Sequence, residues 1–152
     1  MTPVELELYQ YIEEHRPEML LNLDDLQSFI TGRVADSCME YEAQVQNGVD
    51  PHIAHELSQH ILYENLNFSP CQVIDDIIEK NYHATAHPTI LVSCYLAVKN
   101  IFDEYPSTDE FYLSAEYERL SERIELPVIQ YLRHWKLENK LEEGVSMPDD
   151  AH

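Results

Sequence analysis

The run PTILVSCYLAVKNIF at residues 88–102 is the most apolar stretch of the chain and decides its fold class. Leu91, Cys94, Tyr95, Val98, Ile101 and Phe102 recur at helical spacing, and Val92, Leu96 and Ala97 carry the apolar surface most of the way round. A helix apolar on nearly every side is buried on several sides. The reading therefore expects a central helix over 88–104 with other helices packed about it. A strand here would be about three times the common five to six residues, and a membrane span needs about 20 apolar residues. Lys99 and Asn100 interrupt the run too early for the latter.

Outward from that helix, proline punctuates the chain. Thr2-Pro3, Asp50-Pro51 and Ser69-Pro70 each set an N-cap residue before a proline at the first helical position, where the missing N–H costs nothing. His87-Pro88 opens the apolar helix in a similar manner with a weaker cap, and Pro17 and Pro106 sit just past helix ends. The predicted helices run over 3–15, from Asp24 or Asp25 to the stop at Asn47-Gly48, over 51–65, over 70–81, over 88–104, and from a Ser114 cap to Gly144 with a kink at Pro127. Their expected buried stripes include Val4, Leu8, Tyr11 and Ile12, then Leu26, Phe29, Ile30, Val34, Cys38, Tyr41 and Val45. Ile53, Leu57 and Ile61 follow, then Val73, Ile74, Ile77 and Ile78, and on the final helix Tyr117, Leu120, Ile124, Val128, Tyr131, Leu132 and Trp135. Gly32, inside the second helix, suggests a bend or a close helix crossing. No segment alternates at period two, so the fold class is all-α: about six helices in a single domain over 1–144, with a disordered tail over 145–152.

Composition excludes several functions. The 152 residues carry 29 Asp and Glu against 9 Lys and Arg, a net charge of −20. Phosphates are repelled by such a surface, which disfavours direct binding to nucleic acid or anionic membrane. The balance is uneven: residues 1–118 hold 22 acidic and 4 basic side chains, residues 119–152 hold 7 and 5. Cys38, Cys71 and Cys94, an odd number on predicted helices, read as apolar core residues of a reducing compartment. MTPVELELYQ lacks the basic and apolar regions of a signal peptide, so the expected location is cytoplasmic.

No catalytic motif emerges. HELSQH at 55–60 spaces its histidines five apart, not the four of a zinc-binding HExxH helix. His52, Glu56, His60 and Glu64 do fall in one row four apart, so a metal-binding helix using His52, Glu56 and His60, helped by His83 or His87, is one alternative. Its competitor is a solvated polar face, and no metal or cofactor is assigned. With three glycines there is no phosphate-cradling loop, and no GxSxG elbow exists. Cys71 near a helix N-terminus reads as an inert thiol, and the ten tyrosines as core residues with the hydroxyl at the edge.

Three stretches, LYQYIEEHRPE at 8–18, MEYEAQVQNGVDPHIAHELSQHILYENLNFS at 39–69 and FDEYPSTDEFYLSAEYERL at 102–120, resemble a bacterial domain-of-unknown-function family of small acidic helical proteins. The resemblance implies an all-helical fold and an association with conjugative elements. It carries over no activity and no catalytic residue.

The reading that remains is a non-enzymatic protein–protein interaction or adaptor module, with a second copy of the chain as one candidate partner. The alternative is an acidic decoy that imitates DNA, which would need carboxylates in one continuous stripe. The expected interaction surface is Leu132, Arg133, Trp135, Lys136 and Lys140 on the last half of the final helix. Arg133, Lys136 and Lys140, at steps of three and four, would share a face there. Docking of that face on the first two helices of its own chain is the competing expectation.

Overall fold

Proline and its preceding cap set the start of three helices as the spacing predicts. Thr2 accepts a hydrogen bond from the Glu5 N–H at 3.2 Å while Glu5 accepts one from the Thr2 N–H at 2.9 Å, closing a capping box on α1, Pro3–His15. Asp50 caps α3, Pro51–Leu62, through the His52 N–H, and Ser69 caps α4, Pro70–Tyr82, through the Gln72 N–H. Between them lies α2, Leu23–Gln46, capped by Asn22 and ended at Asn47, with Gly48 beyond it at a φ of 85° that an L side chain resists. The apolar run forms α5, Pro88–Phe102, capped by the His87 ring nitrogen, which accepts from the Thr89 N–H. A short α6, Asp109–Tyr112, and a long α7, Glu116–His134, follow. This computed structural model describes residues 1–143. The tail expected to be disordered lies outside them.

The fold is all-α. The one β element among the described residues is a ladder of two residues per strand, β1 (Ala84–Thr85) antiparallel to β2 (Glu142–Glu143), with Ala84 opposite Glu143. Its first strand lies in the loop HATAH, which the sequence shows only as polar.

The chain divides into two compact units, Met1–Asn67 and Phe68–His152, each with its own apolar core. In the first unit Leu8 and Ile12 of α1, Leu26 and Ile30 of α2, Leu62 of α3 and Leu66 are buried together. Arg16 and Glu18 are buried beside a 3-10 turn over Pro17–Leu21, where the guanidinium donates to the carboxylate at 3.1 Å and to the Asn65 carbonyl at 3.3 Å. In the second unit α4, α5 and α7 pack against one another. Ile74 and Ile78 of α4, Cys94 and Val98 of α5, and the four-step row Leu120, Ile124, Val128 and Leu132 of α7 make its interior. Each such side chain contributes about 1.5–3 kcal/mol by leaving water.

Several stripes fall elsewhere than the sequence indicates. On α5 the buried row is Ile90, Cys94, Val98 and Phe102; Leu91 and Tyr95 are half-buried and Leu96 is 52% exposed, so the helix keeps one side in solvent. On α3 the buried row is Ala54, Ser58 and Leu62, leaving Ile53 and Leu57 exposed. Cys38 is exposed, not a core residue. A Cβ on Gly32 would meet nothing within 4 Å, so no helix crosses closely there. Ser114 does not cap α7; its hydroxyl donates to the Phe111 carbonyl and closes α6, whose own cap is Thr108.

Candidate functional site

The largest departure from expectation lies at the C-terminal end of α7. The predicted helix runs to Gly144, whereas α7 stops at His134 and Lys136 takes a left-handed conformation with φ 56°. The reason is apolar. At 100° per residue a continuing helix would carry Leu137 and Leu141 to the side opposite Leu132, in solvent. Turning at Lys136 into a 3-10 turn over Leu137–Lys140 lets both leucines pack, partly buried, on the second core. The stripe alone contained that signal.

The five expected surface residues are therefore separated. Leu132 is fully buried and is part of the core, not of a surface. Arg133, Lys136 and Lys140 do not share a helix face, because the helix ends between the first two. What the turn leaves together is a short exposed corner, Arg133–Lys136. Trp135 is 61% exposed, a large exposure for a tryptophan, and the His134 ring stands edge-on to it at 5.0 Å. Arg133 reaches the Glu138 carboxylate at a long 3.7 Å.

The other cations of the described residues are engaged. Lys80 pairs with Glu125, Lys99 with Asp103, Arg119 with Glu116 and Arg123 with Glu104. Among the described residues Lys136 and Lys140 have no carboxylate within 4.0 Å. One of these two lysines, Lys136, directly follows the exposed tryptophan in the chain.

A second concavity lies in the first unit, where α1, α2 and α3 meet. Val4, Ser37, Cys38, Tyr41, Glu42, His55, Ser58 and Gln59 line a mostly apolar groove of about 280 Å³. It exists because small residues bring α2 and α3 close: the Ser37 hydroxyl donates to the Ser58 carbonyl at 2.8 Å. His55 and Gln59 stand on one flank of the buried Ala54–Ser58–Leu62 row and Ile53 and Leu57 on the other. Sequence reading missed the groove because it placed the larger apolar residues inward.

The residues weighed for chemistry do not assemble. Among the described residues no group of three or more His, Cys, Asp or Glu side chains is placed to hold a metal ion, so the His52, Glu56 and His60 row gathers no ligand set. Cys71 is buried, and burial pushes the Cys94 thiol up to about 12. Nine of the ten tyrosines are half-buried, as the stripes suggest; burial pushes Tyr82 and Tyr117 up to about 12. No helix among the described residues is long and apolar enough to cross a membrane.

Comparison with known proteins adds a structural relative. The crystal structure of protein PG0816 from Porphyromonas gingivalis is 25% identical to this chain, with a TM-score of 0.73, over 86% of this chain and 89% of that one. No curated protein matches. The model of DUF1896, a domain of unknown function, matches residues 3–136, so the chain belongs to the DUF1896 family.

Proposed function

We propose that this chain is a non-catalytic protein–protein interaction module that self-associates through the corner formed by Arg133, Trp135 and Lys136, with Lys140 at the end of the turn that follows. The observation that carries this reading is the exposed Trp135 set among cations in a strongly acidic chain. Tryptophan and arginine are the residues most enriched at interface hot spots, where one truncation commonly removes 2 kcal/mol or more. Lys136, next to this anchor in the chain and without a carboxylate within 4.0 Å among the described residues, suits an acidic partner surface, and another copy of the chain offers one.

Sedimentation equilibrium tests the reading. The full chain is expected to dimerise at micromolar concentration, and Trp135→Ala should weaken that dimer about 30-fold or more. Lys136→Glu and high salt should act in the same direction, since the attraction is screened. A full chain that remains monomeric at micromolar concentration would overturn self-association.

A further inference from the structure

The first unit carries thirteen acidic side chains and two basic ones. Both arginines serve the unit itself. Arg16 is buried on Glu18 and the Asn65 carbonyl. Arg33 donates to the carbonyls of Ile61, Leu62 and Glu64 and lies over the Phe29 ring. Neither supplies a positive charge to the rim of the groove, where Glu42 stands. An occupant of this groove needs an apolar group to fill it and a cation beside that group to face the carboxylate.

The second unit presents that combination at Trp135 and Lys136. The indole is exposed, and the adjacent ammonium has no carboxylate within 4.0 Å among the described residues. We infer that the groove lined by Val4, Cys38, Tyr41, Glu42, His55 and Gln59 receives Trp135 from a second copy of the chain, with Lys136 of that copy set against Glu42. The inference rests on the self-association proposed above and names the surface that answers the tryptophan. Under two-fold symmetry the contact is made twice, each copy giving one tryptophan and one groove, and the assembly closes as a dimer; without that symmetry the same contact propagates.

Cys38 reports on the groove directly, because it lines it and is exposed while Cys71 and Cys94 are buried. On the unaltered full chain, maleimide modification of Cys38 should slow in proportion to the fraction assembled as concentration rises. In a mixture of native chain with a Cys38→Ser, His134→Cys variant, a short bis-maleimide should join one of each. Glu42→Lys should abolish both the cross-link and the protection. A dimer that Trp135→Ala disrupts, but in which Cys38 stays reactive and no mixed cross-link forms, overturns the groove as receptor while leaving the self-association reading intact. Cross-linking confined within single chains that keep Cys38 and carry His134→Cys overturns the contact between copies. A monomeric full chain overturns both readings.

Discussion

The Ser37 hydroxyl donates to the Ser58 main-chain carbonyl at 2.8 Å, and both serines are buried where α2 packs on α3. The bond ties two helices through a backbone acceptor, so the contact depends on small side chains at the crossing. Ala54, one turn before Ser58, is fully buried on the same row. Ala54→Leu should therefore overpack the crossing and destabilise the first unit by about 1–3 kcal/mol. Ser37→Ala removes only the donor and should cost about 1 kcal/mol. Urea unfolding followed by circular dichroism checks both. An Ala54→Leu variant as stable as the parent would show that the crossing is looser than described.

A contrast between α4 and α5 tests which apolar residues hold the second core. Ile74 of α4 is fully buried against α5 and Leu96 is 52% exposed on its outer side. Ile74→Ala should cost about 2–5 kcal/mol, whereas Leu96→Ala should stay within about 0.5 kcal/mol. Leu91, half-buried, should fall between them. Equal losses at Leu96 and Ile74 would mean that the exposed side of α5 is covered.

These positions show what was legible in the sequence. The starts of α1, α3, α4 and α5 could be read because a cap followed by proline leaves few alternatives, as at Ser69-Pro70 and Asp50-Pro51; without that signal the short α6 and the cap of α7 could not. The buried row of α4 could be read too, since Val73, Ile74, Ile77 and Ile78 are large and all face inward. The row of α3 could not. There, helix proximity selects Ala54 and Ser58 over the more apolar Ile53 and Leu57, and a hydrophobicity stripe ranks them the other way. The end of α7 was misread for a related reason. Helical spacing of Arg133, Lys136 and Lys140 suggested one face, while the pull of Leu137 and Leu141 toward the core, which breaks that face, acts at a different period. The exposed tryptophan was found from its residue type; the groove needed the packing.

Glu18 should make the first unit's stability depend on pH. Burial holds its carboxyl above the ordinary carboxylate range, with the Arg16 guanidinium opposing. The folded state thus keeps this proton to higher pH than the unfolded chain does. Its contribution is fully present below the ordinary value of 4.5 and is lost as pH rises through the folded value. Glu18→Gln removes the titration and still offers an acceptor to Arg16. The stability of that variant relative to the parent should therefore rise as pH increases from about 4 to about 7. Urea midpoints across that window give the answer; a difference that falls with pH would contradict the burial argument. Arg16→Met strands the buried carboxylate and should cost about 3–5 kcal/mol at neutral pH.

Arg33 closes the other end of the α2–α3 pair. Its Nη1 donates to the carbonyls of Ile61, Leu62 and Glu64 at 3.2, 3.2 and 2.7 Å. These are groups at or just past the C-terminus of α3, where the last carbonyls have no partner within the helix and the dipole favours a positive charge. The guanidinium also lies 4.6 Å from the Phe29 ring centroid, held flat against the helix from which it extends. Arg33→Met leaves the carbonyls to water and should cost about 1.5–3 kcal/mol, the usual size for hydrogen bonds to a charged group. Arg33→Lys keeps the charge but loses the planar guanidinium that lies over the Phe29 ring, so it should recover only part of that loss. Full recovery by lysine would mean that charge alone caps α3. The same substitutions should loosen the groove, because Ser58 and Gln59 lie in the stretch of α3 just before the carbonyls that Arg33 holds. Cys38 in the Arg33→Met variant should then react with maleimide at a rate less sensitive to protein concentration than in the parent, even under conditions where circular dichroism shows both fully folded.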